Sequence, residues 1–224
     1  MKNIRIILFL FLFAAESEYR KKINLDGSNL VPNKVNMQID NSQGESMVRV
    51  VKDPAVKEAD EPTFVRINNT DFKNGIIEVE VLSRLLPTAS PTDRWFIGLA
   101  FRIDDTNSRF EAIYLRPTNG RAEDQVRRNH SIQYFSFPDH KYERLRKENP
   151  EKYESYADMG LNEWIKMKIE IDGSQARLFL NEDKQPSLIV NDLKHGPDAM
   201  GAVGLFVDVG TEGYFRNLKI NLSK

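Results

Sequence analysis

Residues 115–146, LRPTNGRAEDQVRRNHSIQYFSFPDHKYERLR, gather most of the side chains able to recognise a polar ligand. Arg102, Tyr114 and Arg116 lead into Asn119, Arg121, Arg127, Arg128, Asn129, His130, Gln133 and Tyr134. Planar amide and guanidinium donors beside an aromatic face suit a sugar, and an arginine can fork two N–H donors onto a carboxylate or sulfate. Four arginines between positions 116 and 134 face only Glu123 and Asp124, so the expected partner is an acidic or richly hydroxylated glycan. His130 lies among these arginines, whose charges should depress its pKa and leave a neutral imidazole suited to general-base work. The competing reading is a folded lid that satisfies its own charges, pairing arginines with Glu123, Asp124 and Glu143, and in which Phe135, Phe137 and Tyr142 are anchors.

Glu78 and Glu80 form a second constellation. At i and i+2 on a strand they project from one face, and retaining glycosidases need two carboxyl groups about 5–5.5 Å apart. Two carboxylates on a solvated sheet face need no catalytic explanation, so the pair is a weak catalytic candidate. Asp104, Asp105 and Asn107 offer oxygen ligands in one turn, where calcium is possible and an ordinary polar turn is the simpler account. His130, His140 and His195 match no zinc spacing. With no cysteine in the chain, disulfides, thiolate metal sites and a cysteine nucleophile are excluded. No cofactor other than calcium is expected.

These side chains must be positioned by strands. Ile77, Val79 and Val81 alternate with Glu78 and Glu80; Ile165, Met167, Ile169 and Ile171 alternate with Lys166, Lys168 and Glu170. The same period runs through 203–208 and 217–222, and further strands are expected at 46–52, 63–68, 95–103, 110–116, 176–181 and 187–190. Asn74-Gly75 and Asp172-Gly173 mark tight turns. The fold class is therefore all-β, a two-sheet antiparallel β-sandwich of jelly-roll type, with one long loop and short-helix insertion at 116–158. One helix is expected at about 140–148, with Asp139 as its N-cap and Pro150 beyond its end. Ile97, Leu99, Phe101 and Ile103 should fill the core, leaving Gly98, Ala100 and Arg102 outward with room for a ligand. Phe110, Ala112, Tyr114 and Arg116 should share that outer face.

Lys2 and Arg5, the apolar run Ile6–Phe13 and small residues at Ala14, Ala15 and Ser17 have the order of a secretory signal, with cleavage after Ser17. Residues 18–224 are then one domain, exported to a periplasmic or extracellular space. No other run is apolar enough for a membrane span. The 32 basic residues nearly balance 33 acidic ones, which argues against a general nucleic-acid binder. A monomer is the expected state.

The segments FKNGIIEVEV, FIGLAFRIDD, FEAIYLRP, NEWIKMKIEIDGSQARLFLNE and GAVGLFVDVGTEGYFRNLKI together resemble the concanavalin A-like lectin/glucanase superfamily over roughly 70–222. The likeness is nearest to laminin-G-like modules and to the 3-keto-disaccharide hydrolases. It implies the concanavalin A-like sandwich and a role in binding or processing carbohydrate, with the glycan held on a concave sheet under the 116–146 insertion. The alternatives it implies are a glycoside hydrolase of the 3-keto-disaccharide type and a laminin-G-like structural or protein-interaction module. Family 16 glycoside hydrolases carry their carboxylate pair on one strand of this fold. The Glu78/Glu80 strand is only loosely similar, with Val79 in place of the intervening acid.

Overall fold

The computed structural model describes residues 20–41, 46–87, 89 and 95–223. The expected secretory signal lies outside the described residues. The strands are β1 (Arg20–Lys22), β2 (Leu30–Asn33), β3 (Val35–Asp40), β4 (Met47–Lys52), β5 (Phe64–Phe72), β6 (Gly75–Leu85), β7 (Ile97–Ile103) and β8 (Phe110–Leu115). Two short helices follow, α1 (Pro117–Gly120) and α2 (Gln125–Asn129), then β9 (Ile132–Phe137), α3 (Tyr142–Glu148) and β10 (Glu154–Ser155). The chain closes with β11 (Ile165–Asp172), β12 (Gln175–Leu180), β13 (Leu188–Val190), β14 (Gly201–Val207) and β15 (Thr211–Leu222).

Two antiparallel sheets stack as a jelly-roll sandwich. Sheet A runs β13-β12-β11-β6-β15-β4-β3, with β1 added to β15; sheet B runs β10-β9-β8-β7-β14-β5-β2. Alternation decides which residues meet between them. Ile165, Met167, Ile169 and Ile171 of β11 and Leu218 of β15 are buried, as are Val203 and Leu205 of β14 and the β7 set Ile97, Leu99, Phe101 and Ile103. The turns follow the expected chemistry. Gly75 has φ +134°, and a Cβ there would fall 1.9 Å from the Asn221 carbonyl oxygen, so no other residue fits without moving β15. Asp172 pairs with Gln175 across a two-residue hairpin loop holding Gly173 at φ +55°.

The two sheets differ on their outer faces. Sheet A keeps the alternation of buried and part-exposed residues along β11 and along β6 as far as Val81. In sheet B every residue of β7 and β8 is buried, so the outer face is covered too. An aromatic layer lies there. Phe110 meets Phe64 edge-on at 5.2 Å and stacks on Phe137 at 5.2 Å. Tyr114 contacts Phe96 at 5.0 Å, Phe135 at 5.7 Å and Phe206 at 5.7 Å. This layer fills the space that Gly98 and Ala100 were expected to leave for a ligand. Gly98 is small because β8 crowds it: a Cβ there would lie 2.3 Å from the Ile113 carbonyl oxygen and 2.6 Å from Tyr114 Cα.

The insertion is less of a loop than its polarity implied. Its middle forms β9, which pairs along the full length of β8, and its end forms the two-residue β10. Helix α3 runs Tyr142–Glu148, but Asp139 does not cap it. Lys141 occupies the N-cap without a side-chain bond, and the Tyr142 N–H donates to Asp60 Oδ2 at 2.9 Å. A distant loop carboxylate thus ties down the helix.

Candidate functional site

Where β8 leaves sheet B, Arg116 begins the insertion and turns its guanidinium onto two aromatic faces, Phe96 at 5.3 Å and Tyr114 at 5.1 Å. It donates to Tyr114 Oη at 3.0 Å, Gln133 Oε1 at 3.2 Å, the His130 carbonyl at 2.9 Å and Glu154 Oε1 at 3.2 Å. A buried guanidinium is tolerable only when its donors are used in this way. The same His130 carbonyl accepts from Asn119 Nδ2 at 3.0 Å, and Asn119 Oδ1 accepts from Arg127 Nε at 2.9 Å. Asp124 caps α2 by accepting from the Arg127 N–H at 2.6 Å. These contacts set Arg116, Asn119 and Arg127 around one opening.

Helix α3 supplies the opposite wall. Tyr142 and Arg146, four residues apart on one helical face, stack with the guanidinium carbon 5.4 Å from the ring centroid. Arg146 Nε donates to Glu154 Oε2 at 3.0 Å. His130 Nδ1 is 3.0 Å from the same carboxylate oxygen but is not aligned for a hydrogen bond. The pocket so enclosed holds about 790 Å³ and is lined by Ala59, Phe96, Arg116, Asn119, Asp124, Val126, Arg127, His130, Tyr142 and Arg146.

Burial would raise the Glu154 carboxyl, but the Arg146 hydrogen bond and the charges of Arg116, Arg146 and His130 outweigh it and hold it below its usual range. Burial also pushes the His130 imidazole down; Glu154 pulls it back up, while Arg146 and Arg116 add to the depression. The imidazole is therefore neutral near pH 7. The expected direction holds, although burial outranks the arginines as its cause. Beneath the pocket, Asp60 is pushed up to about 7 by burial and by the charge of Asp208. Asp208 is itself buried, accepts from Lys52 Nζ and from the Asp60 N–H, and is also raised.

The expected site residues divide sharply. Arg116, Asn119, Arg127 and His130 line the pocket. Gln133 is buried beneath it, bonded to Arg116, and Tyr114 lies in the aromatic layer rather than on the pocket wall. Arg121 is exposed and reaches away to Asp158 and Glu163, and Arg128 packs on Tyr156. Asn129 lines a separate hollow with His130.

Two expected contacts are corrected outright. Tyr134 points to the inner face of sheet B, where its hydroxyl donates to Glu111 Oε1 at 2.6 Å. Arg102 has φ +53°, and the β7–β14 register shifts beside it, so the bulge turns its side chain off the outer face. It is fully buried, donating to the carbonyls of Lys73, Gly173 and Gly196 and to Glu111 Oε2. Arg102 is a tie between the sheets.

The other candidates lie elsewhere. Glu78 and Glu80 project from the outer face of sheet A, on the far side of the sandwich from the pocket. Glu80 accepts from Arg216 Nε at 2.7 Å and from Asn217 Nδ2 at 3.2 Å. The possible calcium turn already has a cation: Arg66 donates to the Asp104 carbonyl and to Asn107 Oδ1, and lies 3.5 Å from Asp105. The Asp104 carboxylate is taken up by Ser108, Arg109 and Thr106. The turn is therefore a closed polar turn. His195 contacts the Phe137 carbonyl at 3.2 Å and does not line the pocket.

Six lining residues were not expected as ligand contacts: Ala59, Phe96, Asp124, Val126, Tyr142 and Arg146. The i, i+4 spacing of Tyr142 and Arg146 could have placed those two together. Ala59 and Phe96 come from distant loops and carry no local signal.

Fold and site define a concanavalin A-like β-sandwich with one sheet capped by aromatic packing and a basic, aromatic-walled pocket at the cap's edge. Among solved structures the chain is similar to a carbohydrate-binding module, CBM66, from Bacillus subtilis, at 13% identity and a TM-score of 0.52, covering 85% of this chain and 97% of the module. It is also similar to a Bacillus subtilis protein of unknown function with a galectin-like fold, at 12% identity and a TM-score of 0.51, covering 91% and 94%. These likenesses concern the fold. No protein-family model matches the sequence, and no curated protein matches it.

Proposed function

We propose that this protein is an exported carbohydrate-binding protein that holds an acidic sugar in the pocket between α1, α2 and α3. The observation that carries the reading is the convergence of Arg116, Arg127, Arg146, Asn119 and His130 on one cleft walled by Phe96 and Tyr142. Arg116 and Arg146 are already bonded to Glu154, and Asn119 to the His130 carbonyl and Arg127, so the cleft meets a carboxylate or sulfate with an excess of positive charge rather than with unused forks. The half-buried Tyr142 ring offers an aromatic wall to a pyranose. A cleft with apolar walls and a few convergent polar groups is the usual form of a small-ligand site. The occurrence of this sandwich in a carbohydrate-binding module agrees with the reading.

A hydrolytic version has one specific observation in its favour, a neutral His130 beside the Glu154 carboxylate at the pocket wall. An imidazole at the pocket wall has the element of a general base, while Glu154 is bonded to Arg146 and Arg116 and acts on it through charge rather than through a hydrogen bond. The two readings separate in a panel of acidic and neutral oligosaccharides scored for binding and for new reducing ends. Binding of acidic members without turnover supports the binding protein. Turnover abolished by His130→Gln supports the hydrolase. A protein that neither binds nor cleaves acidic members contradicts both. N-terminal sequencing of the exported protein should begin near residues 16–19; an intact Met1 would contradict export by signal cleavage.

A further inference from the structure

His130 closes one end of the basic pocket and also faces a second hollow. This one holds about 190 Å³ and is lined by Asn129, His130, Glu151, Glu154, Ser155 and Tyr156. Helix α2 stands as a ridge between the two, sending Val126 and Arg127 to the first and Asn129 to the second, with His130 common to both. An occupant of both hollows passes over the C-terminal end of α2.

The two hollows have opposite chemistry. The first is basic, lined by the guanidinium groups of Arg116, Arg127 and Arg146, two of which are bonded to Glu154. The second presents the exposed Glu151 carboxylate and the Ser155 hydroxyl as acceptors, while the Asn129 amide oxygen is already taken by Gln125 Nε2 at 2.8 Å. Glu154 is largely consumed by Arg146 and Arg116, so Glu151 is the acceptor left facing solvent. Tyr156 remains 40% exposed and is nonetheless held: Arg128 donates to its hydroxyl at 2.7 Å and packs over its ring at 5.0 Å. A fixed, half-open aromatic side chain beside carboxylate and hydroxyl acceptors suits a ring that offers hydroxyl donors. It repels a second anionic ring. Val126, 66% exposed, adds an apolar surface at the first hollow.

We infer that the site has two subsites, and that the preferred ligand is an acidic sugar joined to a neutral, hydroxyl-rich one, the neutral ring lying against Tyr156 and Glu151. This rests on the acidic-sugar reading of the first pocket. The test is calorimetric titration of the whole protein with three probes: glucuronic acid, a disaccharide of glucuronic acid and a neutral hexose, and a disaccharide of two uronic acids. The mixed disaccharide should bind roughly tenfold more tightly than the monosaccharide, a difference of about 1.4 kcal/mol. Tyr156→Ala should remove that gain and leave glucuronic acid affinity unchanged, and Glu151→Gln should improve binding of the doubly acidic probe. Equal affinity for the monosaccharide and the mixed disaccharide overturns the second subsite alone. Loss of monosaccharide binding in Tyr156→Ala does the same. Failure of all three probes to bind the unmodified protein overturns the acidic-sugar reading and this inference with it.

Discussion

The outer faces of the two sheets treat the same building block in opposite ways. On sheet A the alternation of β6 and β11 ends in water, and charged side chains settle into local pairs. Examples are Arg216 with Glu80, Lys168 with Glu170, and cations lying over Trp164 and Phe179 at 4.0 Å. On sheet B the outward positions are aromatic, and the insertion and the loop before β5 cover them. Exposed ion pairs contribute little to stability, so sheet A can vary its outer face at small cost. Sheet B has in effect a second core, and the pocket exists because that core stops at Phe96 and Arg116. A face closed over most of its area, with a polar opening at one edge, supplies rigid walls that an open sheet lacks.

The comparison breaks first on stability. Phe135→Ala on the covered face should cost about 3–5 kcal/mol, as a buried phenylalanine does, and Ile169→Ala in the core between the sheets should cost about 2–5 kcal/mol. Phe179→Ala on the outer face of sheet A should cost less than about 1 kcal/mol. Denaturant unfolding of the three variants checks the ranking, and a Phe135 variant as mild as the Phe179 one would mean that the cap is loosely laid.

A pH profile sharpens it. The Asp60 carboxyl, held at about 7 in the folded chain, is raised above its ordinary value of 3.8 by burial and Asp208. Between those values the folded state binds more protons than the unfolded one, so stability contributed by this group is fully present below the unfolded value. It is lost as pH rises through about 7. Asp208 slopes in the same direction. Asp60→Asn keeps an acceptor for the Tyr142 N–H and should flatten the fall in melting temperature between acid and neutral pH. An unchanged slope in this variant would place the titration elsewhere.

Smaller effects fall on half-buried surface charges. Arg127→Ala should weaken binding of an acidic sugar roughly tenfold, the loss of about 1.4 kcal/mol, with thermal stability nearly unchanged. Glu80→Gln should alter neither binding nor turnover and should move stability by less than about 0.5 kcal/mol.

How far the sequence was legible follows the same division. Sheet A could be read strand by strand because one face is wet, and wet faces leave a period of two. In β9 that period is hidden: Ile132 and Tyr134 face the inner core, Phe135 and Phe137 join the aromatic layer, and a strand apolar on both sides resembles a mixed loop. Arg102 was misassigned because a left-handed residue at a bulge breaks the parity rule at the position to which it was applied. The arginines of the insertion could be picked out as a group but not sorted. Spacing alone does not distinguish Arg127, which faces the pocket, from Arg121, which is pulled away by Asp158 and Glu163 some 40 residues later in the chain. Asp60 escaped notice because its role comes from an α3 backbone N–H that only the fold brings near.

The most direct test of the account is a chemical-shift map of the isotopically labelled protein titrated with glucuronic acid. Perturbations should concentrate at Asn119, Arg127, His130, Tyr142 and Arg146, around the pocket on the capped side of sheet B, and leave Glu78 and Glu80 still. Perturbations centred on Glu78, Glu80 and Lys166, with the insertion unmoved, would contradict it and move the binding surface to the open face of sheet A.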